Sequence, residues 1–139
     1  MRTREMAGAV DWAVSDVICT SAPADRVFEE QHTRVSVALV VSGTFQYRST
    51  LGRNEMTPGS LLLGNPGECF ECGHAHAPGD RCVAFRFAPD YVERLLPELG
   101  RRNATGLFRA GRVPPTPASA SLMARALAGL MGAAELSWE

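Results

Sequence analysis

At 139 residues and 15.0 kDa, the chain is the size of one domain. A chain of about this length buries roughly two-thirds of its unfolded surface, enough for one core without disulfide staples. Hydrophobic residues at 45% and charged residues at 21% argue against wholesale disorder. Fourteen basic and fifteen acidic residues leave a formal charge of -1, which excludes nucleic-acid binding by a concentrated positive field on this segment alone.

No apolar run approaches the roughly 18–20 residues that span a bilayer. The start, Met1 to Met6, lacks the apolar middle of a secretion signal. A cytoplasmic location is therefore expected, with Cys19, Cys69, Cys72 and Cys82 as thiols or metal ligands rather than disulfides.

The first 88 residues read as short strands punctuated by turns. Trp12 to Cys19 and Val27 to Gln31 are strand candidates. Val35, Val37, Leu39 and Val41 alternate with Ser36 and Ala38, the pattern of a strand with one buried face. Phe45 and Tyr47 continue it beyond Gly43, as a hairpin or as a strand bent at that glycine. Turns are predicted at Arg53-Asn54 and Pro58-Gly59, then a strand at Ser60 to Leu63 ended by Gly64 to Gly67. Cys69 to His76, the turn Ala77 to Asp80 and the strand Cys82 to Phe87 follow. Turns every 8 to 12 residues point to a β-sandwich or barrel, and the missing crossover helices exclude a Rossmann sheet.

Beyond Ala88 the period changes. Tyr91, Leu95, Leu96 and Leu99 fall at helical spacing, with Gly100 as the C-cap. A strand at Leu107 to Val113 and a stiff connector, Pro114 to Pro117, come next. Thr116 is the expected N-cap of a helix over 118–134 with Pro117 in its first turn. Leu122, Met123, Ala126, Leu127, Leu130 and Met131 form its apolar stripe. The stripe can pack on its own barrel or form a dimer interface through Leu127, Leu130 and Met131. Ser137-Trp138-Glu139 reads as the start of another helix, so the chain is expected to be the N-terminal module of something longer.

Three of four cysteines and two of three histidines fall within Cys69 to Cys82. Thiolate and imidazole are the donors zinc prefers. In an extended segment Cys72, His74 and His76 share a face, and a three-residue loop at Pro78 to Asp80 would set Cys82 opposite His76. The expected metal set is thus Cys72, His74, His76 and Cys82, with Cys69 as the substitute. Such a set fits a closed structural zinc that leaves no place for an activated water. The alternative is that these cysteines are small buried hydrophobes and the histidines line a polar cavity. His32 precedes the Val35 strand and could face a barrel mouth or stand solvated in a turn. No pair among Glu29, Glu30, Glu68 and Glu71 has spacing that nominates an acid and a base, and no nucleophile elbow or phosphate loop occurs.

Ser42-Gly43-Thr44-Phe45, Pro58 to Leu63 and Pro66-Gly67-Glu68 resemble the cupin barrel. The continuation Cys72 to His76 and Gly79 to Pro89 is similar to the N-terminal sensor domain of AraC-type transcription regulators. The resemblance implies a mainly β chain, a cupin-like double-stranded β-helix barrel followed by C-terminal helices. It places the barrel at 1–113, with a short helix at about 89–100, and a linker and dimerisation helix at 114–139. It also implies a small-molecule effector, a homodimer, no membrane association, and contact with DNA only through a domain absent from this chain. Strand position nominates His32, Tyr47 and Arg48 for the effector cavity. The metal motif of cupin enzymes is missing: Thr33-Arg34 follows His32, and Pro66 to Phe70 contains no histidine. The expectation is therefore a sensor, not an enzyme. A small metal-dependent cupin enzyme and a metal or redox sensor are the alternatives.

Overall fold

The computed structural model describes residues 1–99, 106–132 and 138. Its elements are β1 (Arg2–Gly8), β2 (Trp12–Cys19), β3 (Glu29–Gln31), β4 (Val35–Gly43), β5 (Phe45–Ser49), β6 (Gly52–Met56), β7 (Leu61–Gly64), β8 (Cys69–Gly73), β9 (Asp80–Phe87), α1 (Pro89–Leu95), β10 (Arg112–Val113) and α2 (Pro117–Leu130). A 3-10 turn, Leu96–Leu99, extends α1. The strands form a six-stranded sheet in the order β1-β2-β9-β4-β7-β10 and a four-stranded sheet in the order β3-β8-β5-β6. This mainly β barrel with helices toward the C-terminus is the architecture expected.

The chain changes sheets between β4 and β5. Gly43 is a bend and not a hairpin turn, since β4 pairs with β7 and β9 while β5 pairs with β6 and β8. Its φ of +78° lies where side chains are strained, and a Cβ there would collide with the Gly79 carbonyl and stand 2.7 Å from Asp80 Cα. The chain changes sheets again between β8 and β9. The expected pairing of Cys69 to His76 with Cys82 to Phe87 does not form, because β8 lies between β3 and β5 and β9 lies between β2 and β4. Residues 74–79 are the link between sheets, so no hairpin loop sets Cys82 opposite His76.

Inside the barrel Val40, Phe45, Tyr47, Met56, Leu62 and Cys82 form the core. The outer face of the large sheet is also covered. Leu39 and Val83 pack with Ala126 of α2, joined by Leu122, Met123 and Leu130. Strand β4 is thus buried on both faces, with Leu39 and Val40 each at 0% exposure, where alternation alone implied one. A third cluster joins Val35 to Val92 and Leu96 of the α1 region.

Other differences are local. The β5–β6 turn falls at Thr50-Leu51, and Arg53 and Asn54 lie in β6, because Ser49 pairs with Gly52. Of Leu107 to Val113 only Arg112 and Val113 form a strand. Strand β1, unexpected from its polar sequence, pairs with β2 as an edge. Thr116 caps α2 as predicted. Its side chain accepts from the Ser119 amide at 3.2 Å, and Ser119 Oγ accepts from the Thr116 amide at 2.7 Å. Leu130 faces the chain's own sheet, whereas Leu127 and Met131 are exposed at 40% and 87%. Gly100, Ser137 and the end of the predicted helix at 133–134 lie outside the described residues. Among the described residues no helix is long and apolar enough to cross a membrane.

Gly43→Ala should lower the unfolding free energy by about 3 kcal/mol, from positive-φ strain plus overlap with the Gly79–Asp80 backbone. Urea denaturation of the wild type and the variant measures it.

Candidate functional site

Tyr47 and Cys72 stand opposite each other on β5 and β8, and Tyr47 is fully buried in the barrel. A buried phenol must place its hydroxyl. Here it donates to the Leu63 carbonyl at 3.1 Å and lies 2.9 Å from His32 Nε2. The hydroxyl has one proton, so with that proton on Leu63 the imidazole supplies Nε2–H. Phe70 stacks on the His32 ring at 4.0 Å between centroids. Gly64 lies against the same ring, where a Cβ would approach Cδ2 and Cε1 to 2.5 Å. His32 is thus held by a hydroxyl, an aromatic ring and bare backbone. Burial first, and the charge of Arg86 second, lower its pKa to about 4. Burial also pushes the Tyr47 hydroxyl up. His32 and Tyr47 thus meet inside the barrel.

Arg48 does not join them. Successive strand residues face opposite ways, and Arg48 is exposed in an ion pair with Glu71 on the neighbouring strand. With Glu29, Cys69 and Phe70 it lines a cleft of about 250 Å³. Phe70 therefore borders this cleft while covering His32. Sequence reasoning gave no role to Glu30, which is two residues before His32 and half-buried, opposite Phe70. Burial raises its carboxyl pKa, with Arg86 opposing.

The Cys/His segment is distributed by the crossing between β8 and β9. Cys82 belongs to the apolar interior and Cys72 packs against it. Burial pushes both thiols up, with the charges of Glu30 and Asp80 adding for Cys72 and that of Asp80 for Cys82. His76 is exposed on the link. Cys69 faces Gln31 across β3–β8, its thiol raised by desolvation and by Glu29. His74 alone of the expected set belongs to a donor group: Cys19, His74 and Asp80 place one ligand atom each within 4.8 Å of one another. The expected Cys72, His74, His76 and Cys82 set thus does not converge, because β8 and β9 belong to different sheets. Cys19 and Asp80 had no local signal, since only the β2–β9 register pairs them.

Elsewhere Asp16, on the outer face, accepts two hydrogen bonds from Arg81, each 2.9 Å. Those bonds, ahead of the nearby arginine charges, lower its carboxyl pKa against the cost of burial.

A cupin enzyme's metal does not fit the interior. Pro66 to Phe70 contains no histidine, and the Phe70 ring stacks on His32, whose Nε2 is committed to Tyr47.

A model of the AraC-like ligand binding domain matches residues 14–138. A search of the curated proteins gave no match. Among solved structures, a cupin superfamily protein from Desulfitobacterium hafniense superposes with a TM-score of 0.53 at 9% identity, covering 63% of this chain and 76% of that one. A Cupin 2 conserved barrel domain protein from Salinispora arenicola gives 0.53 at 13% identity, covering 70% and 83%. At such identities the likeness is one of fold.

The low pKa of His32 makes stability depend on pH. The unfolded imidazole takes its proton near pH 6.5 and the folded one near 4, so stability falls as the pH drops through that window. The loss between pH 7 and 4.5 should be about 2–3 kcal/mol greater for the wild type than for His32→Gln, read from denaturation curves at each pH.

Proposed function

Since the chain belongs to the AraC-like ligand-binding domain family, whose model matches residues 14–138, we propose that it is the effector-sensing and dimerisation module of an AraC-type transcription regulator. It acts in the cytoplasm, and a DNA-binding domain joined to it contacts the operator. The observation that carries the reading is the polar pair His32–Tyr47 inside an apolar barrel, covered by one aromatic ring, Phe70. A small molecule with a planar apolar body and one hydrogen-bonding group can replace what Phe70 and Leu63 now offer that pair. Entry is from the cleft that Phe70 borders.

The domain binds and does not turn its ligand over. Around His32 stand a phenol, a phenyl ring and a glycine, which supply neither a nucleophile nor a second base. Signalling is linkage. An effector that prefers one arrangement of the interior over another shifts the populations and hence the placement of α2. Strand β4 carries the coupling, since Val40 faces the interior and Leu39 faces α2. Leu127 and Met131, one helical turn apart and exposed, are the contact to a second copy. Among the described residues, Cys19, His74 and Asp80 are the group that could hold a structural zinc.

Thermal-shift screening with small aromatic and carboxylic metabolites should yield a stabilising ligand. Its affinity should fall at least about tenfold, the worth of one buried hydrogen bond to a ligand, in Tyr47→Phe and in His32→Gln, and stay unchanged in Arg48→Ala. Hits indifferent to both interior variants would place the effector elsewhere. Sedimentation should show a dimer that Leu127→Glu converts to monomer. A wild-type monomer at all concentrations would remove the dimerisation role.

A further inference from the structure

Two of the chain's passages between sheets, β4–β5 and β8–β9, meet at one end of the barrel, and a polar group is buried there that effector sensing does not use. Cys19 is the last residue of β2 and pairs with Asp80, the first of β9. On its other side Asp80 pairs with Gly43, where β4 leaves the large sheet. His74 begins the return link, and the Gly79 amide donates to the Ser21 carbonyl at 2.9 Å, fixing that link against the chain beyond β2.

The side chains of His74 and Asp80 are 3% and 8% exposed, with His74 Nε2 2.6 Å from Asp80 Oδ2. The other carboxylate oxygen, Oδ1, is 3.7 Å from the Cys82 thiol. Asp16, the other buried aspartate, has Arg81 and Arg4 for its charge. Among the described residues Asp80 is paired with an imidazole and a thiol and with no guanidinium. A buried carboxylate needs a cation or a proton to be tolerated. Cys19 completes the arrangement, with one sulfur, one nitrogen and one oxygen donor mutually within 4.8 Å.

We propose that Cys19, His74 and Asp80 form a zinc site that clips the link between the sheets to the β2–β9 pair. A thiolate, an imidazole and a carboxylate are a borderline-soft set suited to Zn²⁺. On binding, Cys19 loses its thiol proton to solvent. The proton that His74 Nε2 now shares with Asp80 Oδ2 moves to Nδ1, which frees Nε2 and the carboxylate for the metal, so one proton leaves per ion. Three protein donors leave the fourth position to water or to an exogenous ligand. The site lies apart from the His32–Tyr47 pair and stands or falls independently of the effector reading.

Titrating the chelator-treated 139-residue protein with Co²⁺ tests it. One equivalent should give visible d–d bands and thiolate-to-cobalt charge transfer, and Zn²⁺ should abolish both. Zn²⁺ should also raise the melting temperature. Cys19→Ser and Asp80→Asn should each weaken binding at least about tenfold, while Cys69→Ser and His76→Ala leave it unchanged. Melting in chelator separates lost binding from lost folding, and either of the first two variants that folds decides the matter. Absence of the bands together with no thermal shift overturns the site. So does a spectrum that survives Cys19→Ser in a folded protein, or one lost in His76→Ala.

Discussion

A sheet that curls over its own interior must send its chain from one layer to the other, and here two of those passages, β4–β5 and β8–β9, run side by side. Gly43 carries the chain out of the large sheet and Gly79 brings it back, with the Gly79 carbonyl occupying the space of a Gly43 side chain. That close approach aligns the ends of β2, β4 and β9, because Asp80 pairs with Cys19 on one side and Gly43 on the other. The donor group of Cys19, His74 and Asp80 is a consequence of it. A bulkier residue at either glycine would separate the passages and with them the donors.

At the His32–Tyr47 pair the constraint is desolvation. A tyrosine sealed in an apolar barrel must hand its hydroxyl to something, and the Leu63 carbonyl and His32 are what the strands provide. Meeting that need draws His32 inward, where it can exist only neutral near physiological pH. Phe70 then covers the ring with an apolar face. A ligand recognised here would compete with side chains and would not fill a void.

The outer helix connects these interior events to the surface. Burying an aliphatic side chain is worth about 1.5–3 kcal/mol, and Leu39, Val83 and Val14 gain theirs from α2 and its neighbours on the outer face. Because β4 and β9 are covered on both faces, neither can shift toward the interior without disturbing the seat of the helix. That is the physical route by which a barrel can report its contents.

Periodicity, turn residues and caps made much of this chain legible beforehand. The strand at Trp12 to Cys19, the proline-led Thr116 cap and the change to helical spacing after Ala88 are local, since each depends on neighbours a few residues apart. The polar segment of β1 carried no such pattern, because an edge strand held by pairing need not bury a face. Strand position nominated His32, Tyr47 and Arg48 together, but alternation along β5 turns Arg48 outward to Glu71 once Tyr47 is inside. Sequence by itself thus determined most of the elements and the mainly β class. Tertiary structure alone decided which strands are neighbours. It put β8 and β9 in different sheets, split the Cys72, His74, His76 and Cys82 set, and joined His74 to Cys19 and Asp80. The reason is that strand pairing across sixty residues is fixed by how the whole sheet closes and buries its faces, a quantity no local spacing encodes.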